Sequence, residues 1–412
     1  MDIDLQRRID RTAGTVLCGI LSLFPRKDRG RGLKSDPKRI LVILLSEMGS
    51  LVLARPMFTF LREKYQEAPI YAMVFKRNAE CLEVLDLIPP ENIFTVDGDS
   101  FSGLIRDSIR ALRGIRIKEI DTVIDCELFS RISSIYSFLS GAEIRVGFHP
   151  HTQEGLYRGH FINRPVLYNP YHHISRQYLN LAKAIELDHM PLVKRKMDDH
   201  IPPPPALDRG SVEEMEKRLM GDFPQLEGKK LVLIYPGGGL LPIRAWPLGH
   251  FCAVAQDLIE KGYAAGIIGM KQDAGLAEAI LAACRSELAI DLTGYTRKLH
   301  ELITLFHLAA LLITNDGGPG HFASLTPIPA IVLFGPETPA LYGPLDDKSV
   351  ALHHPLSCSP CLTAYNHRNS PCDGNNLCLK SLSVEKVLDR AYALLKGGPV
   401  PGDEHGQPAG KI

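Results

Sequence analysis

The stretch Ile313-Thr-Asn-Asp-Gly-Gly-Pro-Gly-His321 combines residue types that suit an anionic ligand. An apolar run ending in Asp316, Gly317 and Gly318 would place backbone N–H groups and a carboxylate at the carboxyl end of a parallel sheet, where open α/β sheets bind ligands. His321 and Phe322 are expected to begin a helix whose N-terminal donors face a group such as a diphosphate. The same pattern fits a glycine-rich turn without chemical consequence, so other motifs must decide. A second glycine loop, Pro236-Gly237-Gly238-Gly239, precedes Arg244-Ala-Trp-Pro247, and a third small-residue loop, Ser46-Glu47-Met-Gly49-Ser50, holds a carboxylate. Tyr171-His172-His173 adds two imidazoles that either face an acceptor or pack between domains.

The elements that position these residues follow from apolar patterning. Arg39 to Leu45 is a continuous apolar run of strand length, as expected of a central parallel strand, and Leu51 to Tyr65 reads as one helix with Pro56 in its first turns. Strands are predicted at Ile70 to Phe75, Ile93 to Val96, Thr122 to Cys126 and Ile144 to Phe148, alternating with helices. Pro202 to Pro205 interrupt this order, since four prolines neither continue a helix nor pair inside a sheet. The strand, glycine loop and helix pattern then restarts at Lys230 to Tyr235. The expected organisation is a basic amphipathic segment (1–37), an α/β domain (38–200), a linker with a short helix (201–228), a second α/β domain (229–396) and a flexible tail (397–412).

Composition bounds the function. In 412 residues, 45% are hydrophobic and 23% charged, with Lys+Arg and Asp+Glu both at 47, so no global field favours nucleic acid. Nine cysteines, an odd number without a secretory pattern ahead of them, fit a reducing cytosol, and no apolar stretch is long enough to span a bilayer. In residues 1–37, Leu5, Ile9, Val16, Leu17, Ile20, Leu21, Leu23 and Phe24 recur at near-helical spacing among arginines. Such a helix lies in an anionic membrane interface or docks on the protein's own surface.

Taken together, Arg39 to Pro56, Tyr235 to Gly239 with Arg244 to Pro247, Asn315 to His321 with Leu333-Phe-Gly-Pro336, and the cysteines after Ser357 resemble family 9 glycosyltransferases, the ADP-heptose:lipopolysaccharide heptosyltransferases and their relatives. The resemblance spans Lys38 to Leu395 in the family's order. It implies a GT-B fold, two Rossmann-like domains with parallel sheets facing across a cleft. It also implies inverting transfer of a sugar from a nucleoside diphosphate, ADP-heptose or similar, to a membrane-linked glycan of lipopolysaccharide type at the cytoplasmic face of the inner membrane. No cofactor is then required. Arg244 stands at the family's basic position and would clamp phosphate, aided by the amides of Gly237 to Gly239, Gly317 and Gly318. Asp316 matches the motif aspartate and would bind donor hydroxyls, while His321 would shape the donor pocket.

Three positions depart from the family pattern. Ser50 stands where the family carries its catalytic aspartate, and a serine hydroxyl is no base near neutral pH. Glu47 is the candidate replacement, with Ser50 as helix N-cap or acceptor ligand and Ser46, Gly49, His172 and His173 as acceptor contacts. Leu44 replaces a basic residue, and Gly317 a threonine or serine. A non-catalytic binding relative and a nucleotide-sugar epimerase on the same fold are the alternatives. Cys358-Ser-Pro-Cys361 with Cys372 and Cys378 has spacing compatible with structural zinc or with packed thiols.

Overall fold

The computed structural model describes residues 3–24, 36–45, 47–128, 130–148, 157–186, 201–206, 208–239, 241–364 and 370–397. The chain divides between Pro202 and Pro203 into two compact units, with Ala364 grouped with the first. The division falls inside the four-proline run.

The first unit holds strands β1 (Ile40–Ile43), β2 (Ile70–Phe75), β3 (Ile93–Val96), β4 (Thr122–Asp125), β5 (Ile144–Phe148) and β6 (Arg164–Val166). Its helices are α1 (Ile3–Ile9), α2 (Thr15–Ser22), α3 (Met48–Leu53), α4 (Arg55–Lys64), α5 (Ala79–Leu85), α6 (Phe101–Ile117), α7 (Arg131–Ser140) and α8 (Ile174–Lys183). The strands form one parallel sheet in the order β3-β2-β1-β4-β5-β6. The order reverses between β1 and β4, which makes the loops following those strands the topological switch point. Every residue of β1 is buried, as a central strand covered on both faces requires.

Two local features differ from the sequence expectation, and a third matches one of the two readings given for the N-terminal segment. The helix expected over Leu51 to Tyr65 is two helices meeting at Ala54, with Pro56 in the first turn of α4, where its missing N–H costs nothing. Ser50 is not an N-cap: Glu47 is extended (φ −138°, ψ 140°) and α3 begins at Met48, so Ser50 lies buried inside the first turn with its N–H on the Glu47 carbonyl. Residues 3–22 are helical throughout, a π-helical turn at Asp10–Gly14 joining α1 to α2, and this helix docks on α7. Asp10 accepts the N–H groups of Arg131 (3.0 Å) and Ile132 (2.9 Å), capping α7 from outside its own chain segment. Cys18 packs with Ile135 and Phe161, and a methyl on Gly14 would meet the Arg131 Cβ at 2.9 Å. One face is thus docked, yet Val16, Leu17, Ile20, Leu23 and Phe24 remain exposed on the other.

The second unit repeats the plan. Strands β7 (Leu231–Tyr235), β8 (Ala264–Gly269), β9 (Ala289–Thr293), β10 (Leu311–Asn315), β11 (Ala330–Phe334) and β12 (Val350–His353) are all parallel, in the order β12-β11-β10-β7-β8-β9. Helices α9 (Arg209–Asp222), α10 (Leu248–Glu260), α11 (Ala274–Cys284), α12 (Leu299–His307), α13 (Gly318–Ala323), α14 (Pro339–Tyr342), α15 (Leu377–Lys380) and α16 (Val384–Leu395) surround the sheet. The reversal lies between β7 and β10, so the two glycine loops of the sequence leave adjacent strands on the same edge. Trp246, the single tryptophan, is buried against Phe251 and donates its Nε1–H to the Leu382 carbonyl (3.0 Å).

Candidate functional site

At the β7/β10 switch point, Asn315 joins the two glycine loops. Its Nδ2 donates to the carbonyls of Pro236 and Gly237 (both 3.0 Å), and its Oδ1 accepts the Trp246 N–H (2.9 Å). One buried amide therefore fixes the Pro236 to Gly239 loop and the segment carrying Arg244 to the end of β10. Two of the glycines are required by geometry. A Cβ on Gly238 would lie 2.9 Å from the Leu241 carbonyl oxygen and the Pro242 Cα, and Gly239 has φ +59°.

Arg244 is buried in this loop, where its Nη2 donates to Glu337 Oε1 at 2.8 Å and its Nε lies 3.7 Å from Asp316 Oδ2. Glu337, itself buried, follows β11, and no local sequence pattern marks it. Three loops, after β7, β10 and β11, thus converge on one guanidinium. A buried carboxylate is tolerated where a cation and good hydrogen bonds offset its lost hydration.

His321 and the glycines beside it are placed differently from expectation. The helix begins at Gly318 and ends at Ala323, so His321 lies near its end and is buried. With six residues the helix has little macrodipole to offer, and its start is marked by glycine and proline instead. Gly317 is extended (φ 165°), and a Cβ there would meet nothing within 4 Å, so room for a side chain or a ligand exists at that residue.

The cysteine segment braces the same edge. Ser359 Oγ donates to the Gly335 carbonyl (2.5 Å), Cys361 and Leu362 N–H groups to the Pro336 carbonyl (2.9 Å each), and Asn376 Nδ2 to the Ile243 carbonyl (2.8 Å). These contacts flank Glu337 and Arg244. Among the described residues no three His, Cys, Asp or Glu side chains are grouped to hold a metal. Cys378 is buried beside Gly335, and a Cβ there would meet its Sγ at 3.1 Å, whereas Cys358 and Cys372 are exposed. Burial first, and then the neighbouring thiols, raise the Cys378 pKa. His367, which lies between these cysteines in sequence and is a further candidate ligand, is outside the described residues.

In the first unit the β1/β4 switch point carries the other candidates. Glu47 is half-buried directly ahead of α3, and Gly49 and Ser50 are buried within it; Ser46 lies outside the described residues. The carboxylate of Glu127, just after β4, accepts the Leu45 N–H (2.6 Å), while Asn78 Nδ2 donates to the Leu45 carbonyl (2.6 Å). Behind it Arg158, fully buried, donates to the Glu127 carbonyl (3.0 Å) and pairs with Asp125, and burial lowers the Arg158 pKa to about 10. The loop bearing Glu47 is thereby held by a buried polar network. His173 caps α8, its Nδ1 receiving the Ser175 N–H (3.3 Å), and His172 offers its carbonyl to Gln177 (2.7 Å). The cap occupies the Nδ1 of His173.

Comparison with known proteins fits this arrangement. The profile of glycosyltransferase family 9 (heptosyltransferase) matches residues 109–370, more than half of the sequence, and the chain belongs to that family. It is 25% identical over 377 residues to lipopolysaccharide heptosyltransferase 2 of Salmonella typhimurium, covering 87% of this chain and 98% of that protein. It is 24% identical over 366 residues to lipopolysaccharide heptosyltransferase 2 of Escherichia coli K12, with the same coverage of 87% and 98%. Among solved structures, ADP-heptose LPS heptosyltransferase II of E. coli matches with a TM-score of 0.65 at 21% identity, over 87% of this chain and 99% of that one. A family 9 glycosyl transferase from Veillonella parvula matches with a TM-score of 0.66 at 21% identity, over 90% and 100%. The protein is a glycosyltransferase with the two-Rossmann GT-B fold.

Proposed function

We propose that this enzyme transfers a heptose from ADP-heptose, with inversion, to a lipopolysaccharide-type glycan. The observation that carries the reading is the convergence of Gly237 to Gly239, Arg244 and Asp316 on one switch point, in a chain similar over nearly its whole length to lipopolysaccharide heptosyltransferases. The glycine amides and the Arg244 guanidinium face the charge that accumulates on a departing diphosphate. Asp316 and the open space at Gly317 suit the donor's hydroxyl-bearing part, with Gly318 against the Phe322 ring and His321 buried in the same short helix. Glu47 takes the acceptor hydroxyl's proton, and Gly49, Ser50, His172 and His173 border the acceptor. The family match does not favour the binding-only or epimerase alternatives.

A lipid-linked acceptor places the enzyme at the cytoplasmic face of the inner membrane, where α1 and α2 lie on anionic headgroups. Supporting this are the exposed Val16, Leu23 and Phe24 and the exposed Arg8 and Arg11. Among the described residues no helix is long and apolar enough to cross a membrane. The test is transfer from ADP-heptose to heptose-deficient lipopolysaccharide, read as ADP release together with a thermal shift. At a hundred times its dissociation constant the donor should stabilise the protein by about 2.7 kcal/mol. Absence of both a thermal shift and ADP release with ADP-heptose would overturn the reading.

A further inference from the structure

Among the described residues, helix α6 carries a second face with no partner. Phe101, Ile105 and Ile109 recur at every fourth residue, which sets them in one stripe, and they are 57%, 47% and 47% exposed. The side of α6 that meets the sheet is Gly103, Asp107, Ala111 and Ile115, so the stripe is not a remnant of the core. Its flanks are cationic: Arg106, Arg110, Arg113 and Arg116 are exposed, and the helix's one acid, Asp107, is buried, taking Arg106 at 3.0 Å and Arg110 at 3.3 Å.

The amphipathic N-terminal helix lies against the turn that enters α6, a turn that also carries the exposed Asp99 paired with Arg77. Gln6 Nε2 donates to the Gly98 carbonyl at 2.8 Å, fixing α1 to the turn that enters α6. Helix α7 holds both, through the Asp10 cap on one side and a 2.5 Å hydrogen bond between Tyr136 and Ser108 hydroxyls on the other. The N-termini of α6 and α7 follow β3 and β4, so this surface begins at the sheet edge that bears Glu47.

We propose that α6, together with α1 and α2, forms one docking surface for an anionic lipid bilayer, with Phe101, Ile105 and Ile109 in the headgroup region and the arginines on lipid phosphates. An aqueous protein partner of no particular charge would not account for a stripe whose exposed charges are all positive, whereas an acidic bilayer does. The proposal rests on the reading of the acceptor as membrane-linked, and it adds the second helix.

The experiment is cosedimentation of the full chain with vesicles of phosphatidylcholine and phosphatidylglycerol, and with vesicles of phosphatidylcholine alone. The variants are Ile105→Gln/Ile109→Gln/Arg113→Gln on α6 and Val16→Gln/Leu17→Gln/Ile20→Gln on α2. Wild type should bind the anionic vesicles, and the α6 variant should bind them at least about tenfold more weakly with its N-terminal helix intact. Unchanged circular dichroism and unchanged transfer to a delipidated, water-soluble oligosaccharide acceptor would show that the α6 variant is folded and active. Vesicle binding equal to wild type in the α6 variant overturns the proposal, as does wild-type protein that ignores anionic vesicles. A wild-type dimer dissolved by the α6 substitutions would assign the face to a second copy and likewise overturn it. Absence of transfer to the soluble acceptor in the wild type, with vesicle binding intact, would instead count against the glycosyltransferase chemistry proposed above.

Discussion

Arg244 donates to Glu337 at 2.8 Å while its Nε approaches Asp316 at 3.7 Å, so a single buried cation serves two carboxylates from two different loops. The pairing sets the charge of the site before any ligand arrives. Under the proposed function, a diphosphate would meet a guanidinium already oriented by its neighbours.

Replacing Arg244 by alanine should leave Glu337 and Asp316 facing each other without their cation. Donor affinity should fall by more than tenfold, and stability by about 3–5 kcal/mol, the usual cost of breaking a buried pair. Arg244→Lys keeps the charge but not the planar fork, and should recover part of the stability and little of the affinity. Calorimetric titration with ADP and urea denaturation check both.

Asn315→Ala removes one acceptor and two donor contacts at a buried position. Each backbone group left bare costs about 1–3 kcal/mol. The expected outcome is a lowered Tm together with weaker donor binding, because the glycine loop and the Arg244 segment lose their common anchor. Asn315→Asp should be worse than alanine for the loop, since its carboxylate would face the carbonyl oxygens of Pro236 and Gly237.

Glu47→Gln should lower transfer by about 10²–10⁴-fold, the range for losing a general base, with ADP-heptose binding unchanged. Transfer kinetics paired with donor titration separate these effects. Full activity in this variant would remove Glu47 from the chemistry.

The thiol of Cys18 gives a pH signature. Burial, and then the nearby Asp10, raise its pKa from 9.0 to about 11. Below 9.0 folded and unfolded states both hold the proton. Between 9.0 and about 11 the unfolded chain releases it and the folded protein keeps it, so this contribution to stability is lost as pH rises through that window. Urea denaturation over that range should show a shallower decline for Cys18→Ala than for wild type.

Much of this architecture can be read from the sequence because its inner strands are buried on both faces. Ile70 to Phe75 is a continuous apolar run whose bounds coincide with β2, and the half-buried edge strand β3 has the predicted bounds Ile93 to Val96. The short β6 and β12 are not legible in the sequence: Arg164-Pro-Val166 lacks an apolar run, and Val350 to His353 is an edge strand with alternating burial. Glycine loops are legible since only glycine tolerates the approach at Gly238. Glu337, Asn315 and Glu127 were not, because their importance arises from bonds to chain segments dozens of residues away. No local pattern distinguishes a carboxylate that closes on Arg244 from one that faces water. Asp10 was hidden in the same way, its partners being the N–H groups of a helix more than a hundred residues later.

The Asp10 cap means that the leading segment is a structural keystone as well as the proposed membrane contact. Were the bilayer to pull on it, or a protease to clip it, the first turn of α7 would lose its acceptor, the Cys18 packing would open, and the wall beside Arg158 would loosen. Detachment and unravelling would then be coupled events, so the fraction of intact enzyme in a cell would track how long this segment survives.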